Sequence, residues 1–211
     1  MDNTEKLLDF YEVDAEYIAY LLKFDKRVPY VDYSEKSNYD KFLCGIVLSI
    51  NGHDYFAPVS SFKKPQRTNF IIQNEQGEAV SSIRFSFMVP VPSSVITAKI
   101  IKDVPSPEYR RLLNEELRFC QANSNVIRRT AKNVYNTVTG NKDPMMVKNC
   151  CDFKKLEEAC AAYIKENEKA TDKPPKKLTI EQRLAKGKER IAENDKNNPK
   201  NPAKKTDINR D

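Results

Sequence analysis

The chain has 211 residues, 39% of them hydrophobic, a mean hydropathy of −0.69 and a formal net charge of +6. That length suits one domain with an appendage, and no apolar run approaches the ~20 residues a membrane helix needs. The N-terminus, MDNTEKLLDF, lacks the basic-then-apolar order of a signal peptide, so a cytoplasmic protein without a membrane partner is the simplest expectation.

In chain order, residues 10–13 read as a short strand. Asp14 looks like an N-cap, and Tyr17, Ile18, Leu21 and Leu22 make one helical stripe to about Phe24. Residues 25–40 are polar and tyrosine-rich and read as an ordered loop, whose Tyr30, Tyr33 and Tyr39 either pin it to the core or stack on bases. An apolar run at 42–48 reads as a buried strand, Asn51-Gly52 as a tight hairpin turn, and 53–59 as the returning strand. Pro58 has no N–H to donate, so the return strand is expected to end or reach a sheet edge there. A basic loop covers 63–68. Strands follow at 69–73 and 82–89, joined through a turn at Gln76-Gly77, and Pro90 and Pro92 stop the sheet. Residues 95–101 fit strand or helix equally well.

Ser106-Pro107-Glu108 is a helix start, with proline in the first turn and a carboxylate near the positive end of the dipole. Tyr109, Leu112, Leu113, Glu116, Leu117 and Cys120 keep helical spacing to Ala122. A second helix over 124–138 ends at Gly140, read as a C′ residue. Asp152 caps a last helix carrying Phe153, Leu156, Cys160 and Tyr163. From Lys165 onward Asn, Lys, Glu and Pro dominate. Residues 179–193 can form an isolated helix behind a Thr179/Gln182 capping box, too thin in apolar residues to fold alone. The expected division is therefore a domain at 1–164 and a charged tail at 165–211, disordered or weakly docked.

The charge is unevenly spread. The tail carries 14 Lys/Arg against 9 Asp/Glu, residues 1–40 carry 5 against 10, and residues 41–142 carry 14 against 7. A basic middle makes a nucleic-acid partner reasonable, with a solvated helix face as the competing explanation. The five cysteines (Cys44, Cys120, Cys150, Cys151 and Cys160) are odd in number and include no C-x-x-C, so buried thiols are expected rather than disulfides or a zinc site.

Several chemistries drop out. There is no P-loop and no G-x-G-x-x-G, His53 is the only histidine, and the scattered carboxylates do not suggest a two-metal nuclease. No metal or cofactor is expected. His53 itself fits a surface or turn-stabilising role. What remains is a set of hydroxyls and ammonium groups. Lys41 starts the outgoing strand of the hairpin and Ser60-Ser61-Phe62-Lys63-Lys64 follows the returning one, so antiparallel pairing brings them to the same end. Metal-free RNA cleavage needs a base for the 2′-OH, cationic donors for the phosphorane and an acid for the leaving 5′-oxygen. Lysines can serve those tasks and serines can donate to a non-bridging oxygen, although Ser and Lys after a strand are also ordinary loop residues.

The sequence resembles the ToxN/AbiQ family, the endoribonuclease toxins of type III toxin–antitoxin systems. The resemblance runs from about Tyr11 to Tyr163 and rests on four blocks in one order: EYIAYLLKFDKRVP (16–29), KFLCGIVLSINGHDYFAPVSSFKK (41–64), FMVPVP (87–92) and PEYRRLLNEELRFCQANSNVI (107–127). It implies an α+β fold, a strongly twisted antiparallel sheet with a barrel-like core related to the Kid/MazF toxins, packed with helices. It also implies metal-independent RNA cleavage leaving a 2′,3′-cyclic phosphate and a 5′-hydroxyl. The implied partners are cellular or phage mRNA as substrate and an inhibitory antitoxin RNA, a small repeated pseudoknot that the toxin itself processes, in a cyclic protein–RNA assembly. By motif position the catalytic residues fall on Lys41, Ser60, Ser61 and Lys63. RNA contacts are expected at Tyr17, Tyr39, Lys64, Arg67, Phe119, Gln121 and Asn123. The family often has threonine where Ser60 stands and proline where Phe62 stands, and Phe62 puts the loop geometry in question. The alternatives are a non-catalytic RNA-binding protein and a catalytically inactive toxin variant.

Overall fold

Asn51 and Gly52 have φ of 52° and 77°, the two positive values that a type I′ turn demands. They join β2 (Leu43–Ile50) to β3 (His53–Ser60), the central pair of the sheet, in a computed structural model that describes residues 8–29 and 43–171. On the other side of β2 lies β1 (Asp9–Val13), with Phe10 opposite Cys44, and β7 (Ile96–Ala98) pairs the far edge of β1. Beyond β3 come β5 (Ala79–Arg84) and then β4 (Asn69–Gln73). The order is β4-β5-β3-β2-β1-β7, every pairing is antiparallel, and the sheet is strongly curled and packed with helices.

The structure corrects the expected strand at 82–89. Its first part belongs to β5, a 3₁₀ turn at Phe85–Phe87 interrupts it, and Val89–Pro90 forms a separate short strand, β6. The break is forced by β3, which pairs with β6 at Tyr55 and Phe56 but with β5 at Val59 and Ser60. Pro58 therefore does not end the return strand. It sits inside β3, paired to Leu43 and falling in the gap between its two other partners, where no N–H is required. Gly45 is equally determined by position, since a Cβ there would run into the Phe56 ring.

Residues at the helix ends form the hydrogen bonds their types predict. The Asp14 carboxylate accepts from the Glu16 N–H at the start of α1 (Ala15–Leu22), and Ser106 Oγ from the Tyr109 N–H at the start of α2 (Pro107–Ala122). Residues 95–101 resolve into β7 flanked by short 3₁₀ turns. After α3 (Ser124–Thr139), Gly140 is not the left-handed residue: its φ is −84°. Asn141, at φ 52°, takes that role, and the N–H groups of Asn141 and Lys142 reach the carbonyls of Val138 and Thr137. That is a Schellman closure with asparagine at C′. A short helix, α4 (Pro144–Asn149), follows behind the Asp143 cap. Asp152 then starts α5 (Phe153–Thr171), which runs past the expected boundary at 164; residues 172–211 lie outside the described residues.

Glu157 of α5 locks the turn end of the hairpin to the helices. Its carboxylate accepts from the hydroxyls of Tyr55 (2.9 Å) and Tyr135 (2.7 Å) and from the Lys154 ammonium (3.0 Å). The Tyr135 hydroxyl accepts in turn from Asn51 Nδ2 at 2.9 Å. Cys120, Cys150, Cys151 and Cys160 are buried thiols, and burial pushes Cys150 up to about 11. No described helix is long and apolar enough to cross a membrane.

Candidate active site

With its turn end locked, the hairpin presents its open end. Ser60 is the last residue of β3 and faces Ser82 across the β3–β5 pair. Its half-buried hydroxyl oxygen accepts a long hydrogen bond, 3.4 Å, from the Phe62 N–H, which leaves the serine proton able to donate elsewhere. Ser82 Oγ donates to the Phe62 carbonyl at 2.5 Å and so pins the bend that follows Ser60. Ser61, Lys63 and Lys64 all stand exposed on that bend.

The rest of the loop hangs on one buried side chain. Asn69, at the start of β4 and 8% exposed, accepts from the Gln66 N–H (2.9 Å) and donates to the Lys64 carbonyl (3.0 Å). Its backbone N–H adds a bond to the Gln66 carbonyl, and the Phe85 N–H holds the Thr68 carbonyl. The loop is therefore fixed at both ends while its cationic side chains stay in solvent. Arg67 pairs with Asp143 at 2.8 Å with its own side chain 78% exposed. Bonds from the Met146 N–H above all, with those from Met145 and Arg67, hold the Asp143 carboxyl below the usual range. A pair this exposed adds little to stability and is no barrier to a phosphate that competes for Arg67.

Phe62, whose place in the loop the sequence left in question, has a definite position. The Arg84 guanidinium of β5 lies over its ring at 4.4 Å from the centroid and over the Phe87 ring at 5.1 Å. Two side chains that hold this loop, Asn69 and Arg84, carry little signal in the sequence. Asparagine opening a strand after a polar loop is the nearest signal for the first, and the second had none.

The remaining expected residues divide. Tyr17 is a correction: it is completely buried, its hydroxyl donates to the Pro90 carbonyl at 2.7 Å, and its ring meets that of Tyr163 at 4.8 Å. Burial raises its pKa well above the usual tyrosine value. Its aromatic and polar parts are both occupied by the core, so it does not face RNA. Phe119, half-buried on α2, packs against Phe70 of β4 at 6.1 Å. Gln121 donates to the Leu8 carbonyl and Asn123 to that of Phe119, so each commits an N–H to the fold. Lys41 and Tyr39 lie outside the described residues. Leu43, two residues after Lys41, pairs with Pro58, two residues before Ser60. His53 opens β3 half-buried, opposite Ile50.

The geometry has close relatives. Residues 9–161 match the family described as toxin ToxN of type III toxin–antitoxin systems. Endoribonuclease ToxN of Pectobacterium atrosepticum is 30% identical over 174 residues, covering 76% of this chain and 96% of the relative. A solved type III toxin, from work on selective toxin inhibition by a non-coding RNA pseudoknot, superposes with a TM-score of 0.68 at 27% identity, over 75% of this chain and 98% of its own. AbiQ, a lactococcal anti-phage endoribonuclease of a type III system, gives the same score at 28% identity, over 76% and 99%. The family match over residues 9–161, with likeness across nearly the whole length of those relatives, places the chain in the ToxN family of type III toxin–antitoxin toxins.

Proposed function

We propose that the protein is a metal-independent endoribonuclease toxin that cleaves RNA by attack of the 2′-OH on the adjacent phosphate, leaving a 2′,3′-cyclic phosphate and a 5′-hydroxyl. The observation that carries this reading is the fixed loop after β3, which presents the Ser60 and Ser61 hydroxyls beside Lys63 and Lys64. Hydroxyl protons and ammonium groups carried on a fixed backbone are the donors that a developing phosphorane requires, and a loop anchored in advance reorganises less as charge forms. Lys41, two residues before β2 in the chain, supplies the further cation. One of the lysines assists removal of the 2′-OH proton and another protonates the leaving 5′-oxygen. Lys64 and Arg67 hold flanking phosphates.

The likeness to pseudoknot-inhibited and anti-phage relatives supports an antitoxin RNA as inhibitor. In this reading the antitoxin is a repeated pseudoknot RNA that the toxin processes, the two close into a cyclic assembly in the cytoplasm, and the other substrate is cellular or phage mRNA. The test is incubation of the purified protein with mixed RNA in EDTA, with the new termini mapped. Cyclic phosphate and 5′-hydroxyl ends are expected. Loss of cleavage in EDTA, or cleavage of an all-2′-deoxy strand, refutes the chemistry.

A further inference from the structure

Arg84 is a cation for which the described residues show no anion. Ser60 faces Ser82 and Val59 faces Ile83 across β3 and β5. Ile83 is fully buried in the core, so strand alternation puts Arg84 and Ser82 together on the opposite face, the one Ser60 shares. There the guanidinium carbon packs on the rings of Phe62 and Phe87, 4.4 and 5.1 Å from their centroids. Its Nε is shut off from solvent and makes no hydrogen bond among the described residues, and no described carboxylate pairs with it. Burial presses its pKa below the usual arginine value, a cost that packing on aromatic faces offsets only in part. A half-buried guanidinium with no carboxylate partner among the described residues is open to an anion from outside the chain.

We propose that Arg84 binds a phosphate of the RNA held at the Ser60-Ser61 pair, donating in-plane N–H bonds to a non-bridging oxygen. Only Nε is shut off from solvent, so the guanidinium edge formed by Nη1 and Nη2 is left for the ligand. That edge matches two phosphate oxygens at once, which lysine cannot do. No proton leaves the group. It stabilises the charge that accumulates as the 2′-oxygen attacks. The inference rests on the endoribonuclease reading and adds a residue to it.

The test uses the full chain, an oligoribonucleotide that the wild type cleaves, and the 2′-O-methyl form of that RNA as an uncleavable probe of binding. Arg84→Met keeps the bulk against the rings, and Arg84→Gln replaces it where Met proves unstable by thermal melting. Expected is a fall of ~10²–10³ in the rate at saturating RNA, and a slope of log affinity against log salt shallower by about 0.7 between about 50 and 200 mM. Arg84→Lys should recover the slope and about tenfold of the rate, because it keeps the charge without the fork. A lowered melting temperature with unchanged slope and rate means that Arg84 only packs, and overturns the proposal. So does an unchanged slope with altered preference among RNA sequences, which means a base contact. A wild-type protein that binds the RNA without cleaving it refutes the endoribonuclease reading instead, and the salt slopes of wild type and Arg84→Met then still decide whether Arg84 meets a phosphate.

Discussion

Asn69→Ala tests whether the proposed catalytic loop must be rigid. The amide supplies two hydrogen bonds to that loop, from the Gln66 N–H and to the Lys64 carbonyl. Removing it leaves both backbone groups partly buried and unpaired, at about 1 kcal/mol each, so ~2 kcal/mol in total. For a chain of this size that lowers the melting temperature by about 4–8 °C. The chemical effect should be larger, because Asn69 holds the segment that carries Lys63 and Lys64. A displacement of ~1 Å at a reacting group costs on the order of 10² in rate. Binding should change little, since every cation remains. Single-turnover cleavage against RNA concentration, with a melt of the same sample, separates the two effects. A melting temperature that falls while the rate stays within a few-fold of wild type refutes the need for rigidity. An unchanged melting temperature refutes the anchoring itself.

Ser61→Ala and Lys41→Ala should each reduce cleavage ~10²–10³-fold, with Lys63→Ala milder because Lys64 stands beside it, and end-labelled RNA reads all three. Tyr17→Phe should lower stability by about 1–3 kcal/mol, by orphaning the Pro90 carbonyl, and leave the salt dependence of RNA binding unchanged; a changed slope would return Tyr17 to the RNA-contact set. Burial opposes ionisation of Asp25 and Glu157, but hydrogen bonds outweigh it and hold both carboxyls below the usual range. Asp25 accepts from Arg27 and the Asp152 N–H, and Glu157 from Tyr135, Lys154 and Tyr55. Their contribution is therefore complete above about pH 4.5 and is lost as pH falls through the lower folded-state values. Glu116 works the other way: burial raises it, so it weakens the fold as pH rises above about 4.5, and Glu116→Gln should stabilise at neutral pH. Urea midpoints from pH 3 to 7 check both signs. Truncation after Thr171 removes 12 Lys/Arg and 7 Asp/Glu; cleavage should persist while affinity for antitoxin RNA falls modestly at low salt, and lost cleavage would mean that the tail completes the site.

What the sequence determined by itself was whatever rests on a few consecutive residues. Asp14, Ser106-Pro107 and Asp152 start helices because a side-chain oxygen next to a free N–H needs no distant help, and Asn51-Gly52 turns because those two residues tolerate positive φ. The hydroxyl and lysine loop was legible for the same reason, since Ser60, Ser61, Lys63 and Lys64 are contiguous in the chain. Partnership across the sheet was not. Tyr17 stands in a motif that suggests an RNA contact, yet its hydroxyl is taken by a carbonyl 73 residues away. Residues 82–89 read as one strand because each favours extended backbone, and they split only because β3 changes partner beside Pro58. Asn69 and Arg84 gain their roles from a register that brings β4 and β5 against the end of β3. A register is a sum of many weak contacts over the whole sheet, and no local spacing encodes it.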